Sequence, residues 1–393
     1  MDPNALSPKR RTAVITGRGW HVPSDVLTNS DIAQGLDSEL LTEWILQNKW
    51  CQEQLEGVDN VDRPLEERAF CDYVSQRIGI EQRHVIDRQA ILDGHPSDRK
   101  TYASNLGAAA CRKALGEAGV VPDDIEVLIC STGSPDRIFP STATEMLAQL
   151  GAKSAHGYDL LAACSGLGYG LHTARALIES NIHQRIMVVA AEYFTSMVNY
   201  RDPSSAFFWG DAAAAILVEG PEVAGKKPGL EVIDSFCGAI PSHNIRTGLG
   251  GTRSFLANAH HRHVHGDEPP AMGEASYPYF YQEGHRVYRD VVPIVTRATR
   301  TLVERNGYKV DGIRRFWFHQ ASQVMLGAIT KRLLGETLPT ERVTVLLKNF
   351  GNTSSAGAGL CLAQDDDLET GDLACMVVFG AGYTYSGVLL RKV

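Results

Sequence analysis

The sequence predicts a layered α/β fold built from a duplicated unit. Short apolar runs alternate with stretches of helical spacing, as in sheets covered by helices. A polar or reactive residue stands where several of these strands hand over to the next helix, the place where α/β sheets present ligands. The same theme recurs in the second part of the chain, although no residue-by-residue repeat is visible.

Taken in order, Val127-Leu128-Ile129-Cys130-Ser131 reads as a buried strand, followed by a Gly-Ser-Pro turn and a helix from Ser141 to Leu150. Tyr158 to Ala163 is a second strand, leading into helical spacing from Ser165 to Ser180. Arg185–Ala190 and Ala212–Val218 supply two more. In the second part, Phe316-Trp317-Phe318 leads to His319 and a helix through Leu334. Val343 to Leu347 reads as a strand before a Gly-Asn turn and an Ala/Gly-rich helix through Gln364. Cys375–Phe379 enters Gly380-Ala381-Gly382, and Tyr383 to Lys392 returns as a closing strand. We therefore expect one half over 1–225 and another over 226–393. Two stretches look inserted: an acidic, amphipathic helical segment at 38–70, and a surface loop rich in Gly, Pro and His at 241–276.

At 393 residues the chain exceeds the usual size of one compact domain. Hydrophobic residues at 44% and charged residues at 21% mark a globular protein rather than a disordered one. The net charge of −8 argues against nucleic-acid binding over the whole surface. No apolar run reaches the roughly 18 residues of a membrane span. The basic start, ending in Lys9-Arg10-Arg11, lacks the apolar core of a secretory signal, so a cytoplasmic location is expected.

None of the eight cysteines forms a C-x-x-C pair, and most sit in apolar surroundings that suit small buried hydrophobes. Cys164 differs by position. In Ala162-Ala163-Cys164-Ser165-Gly166 it falls at the expected start of a helix, whose unpaired N–H groups and dipole favour a thiolate. The same segment equally suits a Cys packed at a strand–helix corner. The glycines that follow imitate a dinucleotide loop, but that fingerprint needs its first Gly where Cys164 stands. His319 ends an apolar strand, where most histidines are core residues, and Asn352 alone would be an ordinary turn residue. Together, a nucleophile, an imidazole and an amide at similar junctions are what acyl transfer requires. The cluster His260, His261, His263 and His265 lacks accompanying carboxylate or Cys spacing and reads as a solvated loop, so no metal is expected.

These segments resemble β-ketoacyl-acyl carrier protein synthase III of the thiolase superfamily. Tyr73 to His84 is similar to W-x-x-x-R-T-G-I-x-x-R-H, and Phe208 to Ala215 to F-G-D-G-A-G-A. His319-Gln320-Ala321 matches H-Q-A, Gly351 to Ser354 matches G-N-T-S, and Phe379 to Thr384 resembles F-G-G-G-F-T. The likeness runs from about Thr12 to Val393, leaving the inserted stretches unmatched. Chain-elongating relatives use two histidines, plant-type polyketide synthases carry H-P-G-G and G-N-M-S, and thiolases add a second catalytic Cys in a C-x-G setting that neither Cys361 nor Cys375 supplies.

The resemblance implies two similar thiolase-like halves, each with a mixed five-stranded sheet, in αβαβα layers. It implies that Cys164 takes an acyl group from an acyl-CoA or acyl carrier protein, with no cofactor beyond the thioester substrates. The backbone N–H groups of Cys164 and Ala381 would hold the oxyanion, Ala381 standing where the family has Gly. His319 and Asn352 would stabilise the enolate formed when a malonyl-type thioester loses carbon dioxide. Tyr73 stands where the family stacks adenine on Trp, and Arg77, Phe379 and Arg289 join it as candidate substrate- or carrier-binding residues. Phe139 matches a Phe that crosses a homodimer interface into the partner's acyl tunnel; simple loop packing would also account for it. Two basic family positions are Ala206 and Val324 here, so either donor recognition differs or Arg201 and Arg289 compensate.

Two rival readings are an acyltransferase moving the acyl group from Cys164 to a hydroxyl or amine without decarboxylation, and a non-catalytic partner subunit of a heteromeric synthase. Partner subunits typically lose the nucleophile, whereas Cys164, His319 and Asn352 are all present.

Overall fold

The computed structural model describes residues 11–58, 61–93, 101–247 and 279–393. The expected loop at 241–276, with its histidine cluster, lies outside the described residues beyond 247. In chain order the strands are β1 (Val14–His21), β2 (Asp25–Thr28), β3 (Gln82–Val85), β4 (Val127–Ser131), β5 (His156–Leu160), β6 (Arg185–Glu192), β7 (Ala212–Glu219) and β8 (Leu230–Ala239). Then come β9 (Ile245–Arg246), β10 (Tyr281–Gln282), β11 (Ile313–Phe318), β12 (Leu373–Gly380) and β13 (Thr384–Lys392). Nine of them form one mixed sheet in the order β11-β12-β13-β8-β1-β7-β6-β4-β5. The pairs β4–β5, β4–β6 and β11–β12 are parallel, and the remaining pairs are antiparallel.

Alternation along the strands explains the layering, because successive side chains face opposite sides of a sheet. Leu128, Val189 and Leu217 point to an outer core with Leu106, Leu115 and Met146 from the helices Ala103–Ala118 and Thr142–Leu150. Their neighbours Ile129, Val188 and Ile216 share a central core with Met376 and Val378 of β12. Leu167, Leu171 and Ile178 of the helix Gly166–Glu179 and Leu360 and Leu362 of the helix Gly357–Gln364 fill that layer. On the far side, Phe316, Phe318 and Val377 pack on Val291, Val295, Leu326 and Ile329 from the helices Gly284–Arg305 and Gln323–Leu334. Helix, sheet, helix, sheet and helix follow one another, as expected of a thiolase-like fold.

Two details depart from the expectation. Among the described residues the halves join into one sheet through a short β1–β8 seam, Val14 with Glu231 and Ile15 with Leu230, extended by the Val232 N–H donating to Ala13 O at 2.8 Å. The C-terminal half contributes four strands rather than five, since Val343 to Leu347 forms a single bridge, Phe316 with Val343, before a helix at Leu347–Phe350. The Gln320 side chain accepts a hydrogen bond from the Leu346 N–H at 2.9 Å, taking the donor that a continuing ladder would need.

The acidic stretch at 38–70 is helical as expected, holding two whole helices, Ser38–Gln47 and Lys49–Gln54, and most of a third, Arg63–Tyr73. Asp37, Asn48 and Asp62 cap their N-termini, each side chain accepting from backbone N–H groups of the following turn. Leu41, Ile45, Cys51, Ala69 and Phe70 are buried in the same core as Leu27, Ile80 and Phe207, so the stretch is built into the body of the protein.

Candidate active site

Cys164 lies in a short 3₁₀ turn, Ala163–Ser165, between β5 and the helix Gly166–Glu179. The turn is held in an uncommon shape: Ala163 has φ 47°, left-handed backbone that a non-glycine residue adopts at a cost. Ser165 Oγ lies 2.7 Å from the Ala162 carbonyl oxygen and 2.5 Å from Thr384 Oγ1, which is itself 3.0 Å from Ala162 O, so the two hydroxyls share hydrogen bonds around that carbonyl. The end of β12 presses on the same turn. A Cβ placed on Gly380 would stand 2.6 Å from the Cys164 backbone nitrogen and 3.1 Å from its Cβ, so only glycine fits.

Burial is the largest influence on this sulfur. Removal from water pushes the Cys164 thiol up to about 12, and the buried Glu192 carboxyl adds to the rise, against a hydrogen bond from Ser354 that lowers it. The expectation of a resting thiolate is therefore corrected. Desolvation is the largest of these effects, and the unliganded protein holds a thiol at neutral pH.

His319 follows β11, and its N–H donates to the Val377 carbonyl at 2.9 Å, which carries the β11–β12 ladder one residue further. The ring is buried and meets Phe379 edge-on, with centroids 5.0 Å apart. Burial lowers its basicity to about 3, opposed by a backbone hydrogen bond involving Ser354, so the imidazole is neutral. Nδ1 is buried and has no hydrogen-bond partner among the described residues.

Asn352 is fixed by a bridge to the 208–210 segment: its N–H donates to Phe208 O at 2.8 Å and its carbonyl accepts from Gly210 N at 3.0 Å. Gly351 just before it has φ 65°, a conformation that favours glycine. Asn352 Oδ1 accepts from the Ser354 N–H at 3.0 Å, which turns the amide's donor end the other way.

Ser354 thus touches all three candidates. Its hydroxyl donates to Cys164 Sγ at 3.5 Å, its N–H holds Asn352, and its backbone meets the His319 ring. It too has positive φ, 51°. Next to it, Ser355 Oγ donates at 2.6 Å to Glu192, which is fully buried and also accepts from Gly133 N at 3.0 Å and Ser134 Oγ at 2.9 Å. These two residues were not singled out from sequence. Ser354 stands in the G-N-T-S segment, which is the signal that could have marked it; Glu192 ends an apolar strand and carries no such signal.

On its other side Cys164 joins an apolar cluster with Phe194, Val198, Trp209 and Phe280. Gln320, inside H-Q-A, works behind the site, donating to Phe318 O at 2.9 Å while accepting from Leu346 N.

Of the remaining candidates, two adjoin this site and the others lie apart from it. Ala381 opens the turn Ala381–Tyr383 directly after Gly380, so its backbone adjoins the Cys164 turn. Phe379 touches His319. Tyr73 is half-buried, its ring met at steep angles by Trp44, Trp50 and Phe207 at 5.1, 5.8 and 6.1 Å. Arg77 is exposed at the end of the π-helical turn Val74–Ile78. Arg289 is exposed and pairs with its neighbour Asp290 at 3.2 Å. Phe139 is 82% exposed on a loop beside the equally bare Ile138. At the positions where the family carries cations, Ala206 is buried and Val324 exposed. Among the described residues no group of His, Cys, Asp or Glu could hold a metal ion, and no helix is long and apolar enough to cross a membrane.

Family models for 3-oxoacyl-[acyl-carrier-protein (ACP)] synthase III match residues 158–240, and for its C-terminal part residues 303–392. The chain is 32% identical over 330 residues to a beta-ketodecanoyl-[acyl-carrier-protein] synthase of Pseudomonas aeruginosa, covering 81% of this chain and 90% of that one. It is 32% identical over 383 residues to a beta-ketoacyl-[acyl-carrier-protein] synthase III of Phocaeicola vulgatus, covering 96% of each. Among solved structures, the priming beta-ketosynthase from the R1128 polyketide biosynthetic pathway superposes with a TM-score of 0.74 at 26% identity, over 99% of this chain and 98% of that one.

Proposed function

Because the chain belongs to the 3-oxoacyl-[acyl-carrier-protein] synthase III family, whose members are condensing enzymes of the acyltransferase class, we propose that Cys164, His319 and Asn352 carry out a decarboxylative Claisen condensation. The convergence of all three on Ser354 is the observation that carries this reading.

In the first step the Cys164 sulfur attacks the carbonyl carbon of an acyl thioester. A new carbon–sulfur bond forms, the bond to the carrier sulfur breaks, and the Cys164 proton leaves with the carrier as its thiol. Since Cys164 rests as a thiol and His319 as a neutral imidazole, proton loss accompanies attack rather than preceding it. Backbone N–H groups of Cys164 and Ala381 face the developing oxyanion. In the second step a malonyl-type thioester loses carbon dioxide. The electron pair of the broken bond becomes an enolate, whose oxygen is hydrogen-bonded by His319 and the Asn352 amide. The enolate carbon attacks the acyl-cysteine, forming the carbon–carbon bond and breaking the carbon–sulfur bond, and the released Cys164 thiolate takes up a proton from solvent to return to the thiol.

Arg77, Arg289 and Tyr73 are assigned to the carrier or nucleotide of the donor, and Phe379 to the wall beside His319. Phe139, bare of contacts in one chain, is assigned to the acyl tunnel of a second copy in a homodimer. The acyl-CoA and carrier-protein thioesters are the substrates, and the work is placed in the cytoplasm, where such thioesters are made. Mass spectrometry of the intact protein after exposure to a panel of acyl-CoAs tests the first step. One acyl group per chain, mapped to Cys164, is expected, and labelled carbon dioxide should appear only when a malonyl thioester follows. An acylated protein that transfers its acyl group to an alcohol or amine without releasing carbon dioxide would replace condensation by simple acyl transfer.

A further inference from the structure

Trp209 stands in the cluster that adjoins Cys164, stacked on Phe194 at 3.9 Å and met edge-on by Phe280 at 4.7 Å. Only 3% of it is exposed, and its backbone is bridged to Asn352. Among the described residues its buried indole Nε1–H has no hydrogen-bond partner. Trp317, equally buried, donates its own Nε1–H to Asp365 at 2.5 Å, so this fold does satisfy an indole where an acceptor is within reach. A buried donor left unmade destabilises the protein, and buried tryptophans ordinarily find a partner. If the wall beside Cys164 only had to be apolar, Phe would serve without that cost.

We propose that Trp209 is a specificity-determining residue whose indole N–H donates to an oxygen on the acyl chain carried by Cys164. The preferred donors are then short acyl thioesters with a neutral hydroxyl or keto oxygen within the first few carbons, not plain alkyl thioesters. The inference rests on the condensing-enzyme reading above and adds the substrate class to it. The acyl chain brings the missing acceptor into a site otherwise closed by aromatic rings, and a plain alkyl chain leaves the N–H unpaired in the acyl-enzyme.

The test compares acylation of the full chain by 3-hydroxybutyryl-, 3-oxobutyryl- and butyryl-CoA, read as kcat/KM by intact mass. At least one oxygenated donor is expected to be preferred about tenfold over butyryl-CoA, the worth of one net hydrogen bond. Trp209→Phe keeps an aromatic wall but removes the N–H. It should slow the oxygenated donor about tenfold more than it slows butyryl-CoA, erasing the preference. In the unsubstituted protein with 15N-labelled tryptophan, the Trp209 indole proton should move downfield on acylation by the oxygenated donor and not by butyryl-CoA. Equal rates for all three donors, an equal loss for all in Trp209→Phe, or an unmoved indole proton would overturn the proposal. No adduct with any donor would overturn the condensing-enzyme reading first and this inference with it.

Discussion

Ser354 Oγ donates to Cys164 Sγ at 3.5 Å across 190 positions of sequence, joining the turn before one central helix to the turn before the other. The contact brings the nucleophile from the first half of the chain against the segment of the second half that carries Asn352. The site exists only because the two halves are packed face to face.

Replacing the sulfur tests the central assignment directly. Cys164→Ala should fold, since the site is small and the turn is held by Ser165 and Thr384, yet take up no acyl group by intact mass. Covalent labelling that survives the substitution would place the nucleophile elsewhere.

Asn352→Ala separates the two steps. Acylation of Cys164 should remain within a few-fold of normal, while condensation falls about 10²–10³-fold, the usual cost of one lost oxyanion donor. Single-turnover kinetics of each step would show the split. An equal loss in both steps would mean that the substitution disturbs Ser354 and the whole turn.

Alkylation of the unliganded protein reports the resting state of Cys164. With the thiol raised to about 12, neutral pH lies far below its titration, so each unit rise in pH multiplies the thiolate about tenfold. Iodoacetamide labelling of Cys164 should therefore climb from about pH 7 to about pH 10 without levelling off. A plateau near neutrality would mean a resting thiolate. His319, neutral above about 3, should add no acid limb to the condensation rate in the physiological range.

Gly380→Ala should fold and fail to acylate, because the added methyl meets the Cys164 backbone nitrogen at 2.6 Å and must push the nucleophile turn aside. Acylation within twofold of the unsubstituted protein would show that the turn yields at no cost.

Away from the site, Asp234 ties β8 to two helices. It accepts from Arg305 Nε at 2.7 Å, Asn306 Nδ2 at 2.8 Å and Arg175 NH1 at 2.9 Å. Burial by itself would raise this carboxyl, but those donors hold it well below the ordinary carboxylate range. Asp234→Ala leaves the buried Arg175 short of an anion and should cost about 2–3 kcal/mol in urea unfolding at pH 7. The carboxylate contributes at pH values above its unfolded pKa and ceases to contribute as pH falls through its depressed folded value, so the gap between the two proteins should narrow in acid.

Much of this was legible in one dimension. Strand-length apolar runs such as Arg185–Ala190 and Ala212–Val218 are strands, and Ser141 and Ser322 cap the helices that follow theirs. Cys164 and His319 could be picked out because each ends an apolar run where helical spacing begins, and Asn352 because it joins them in the G-N-T-S segment. Val343 to Leu347 misled because its alternation is that of a strand, while the acceptor that ends its pairing, Gln320, comes from another segment.

By itself the sequence determined the layered fold, the family and the three residues that meet at its centre, since periodicity and local motifs are properties of neighbouring residues. Only the tertiary structure decided that Cys164 rests as a thiol, that Ser354 links it to Asn352 and His319, and that Trp209 keeps an unpaired donor beside it. Desolvation and hydrogen-bond satisfaction depend on every atom that packs around a group, and those atoms come from both halves of the chain.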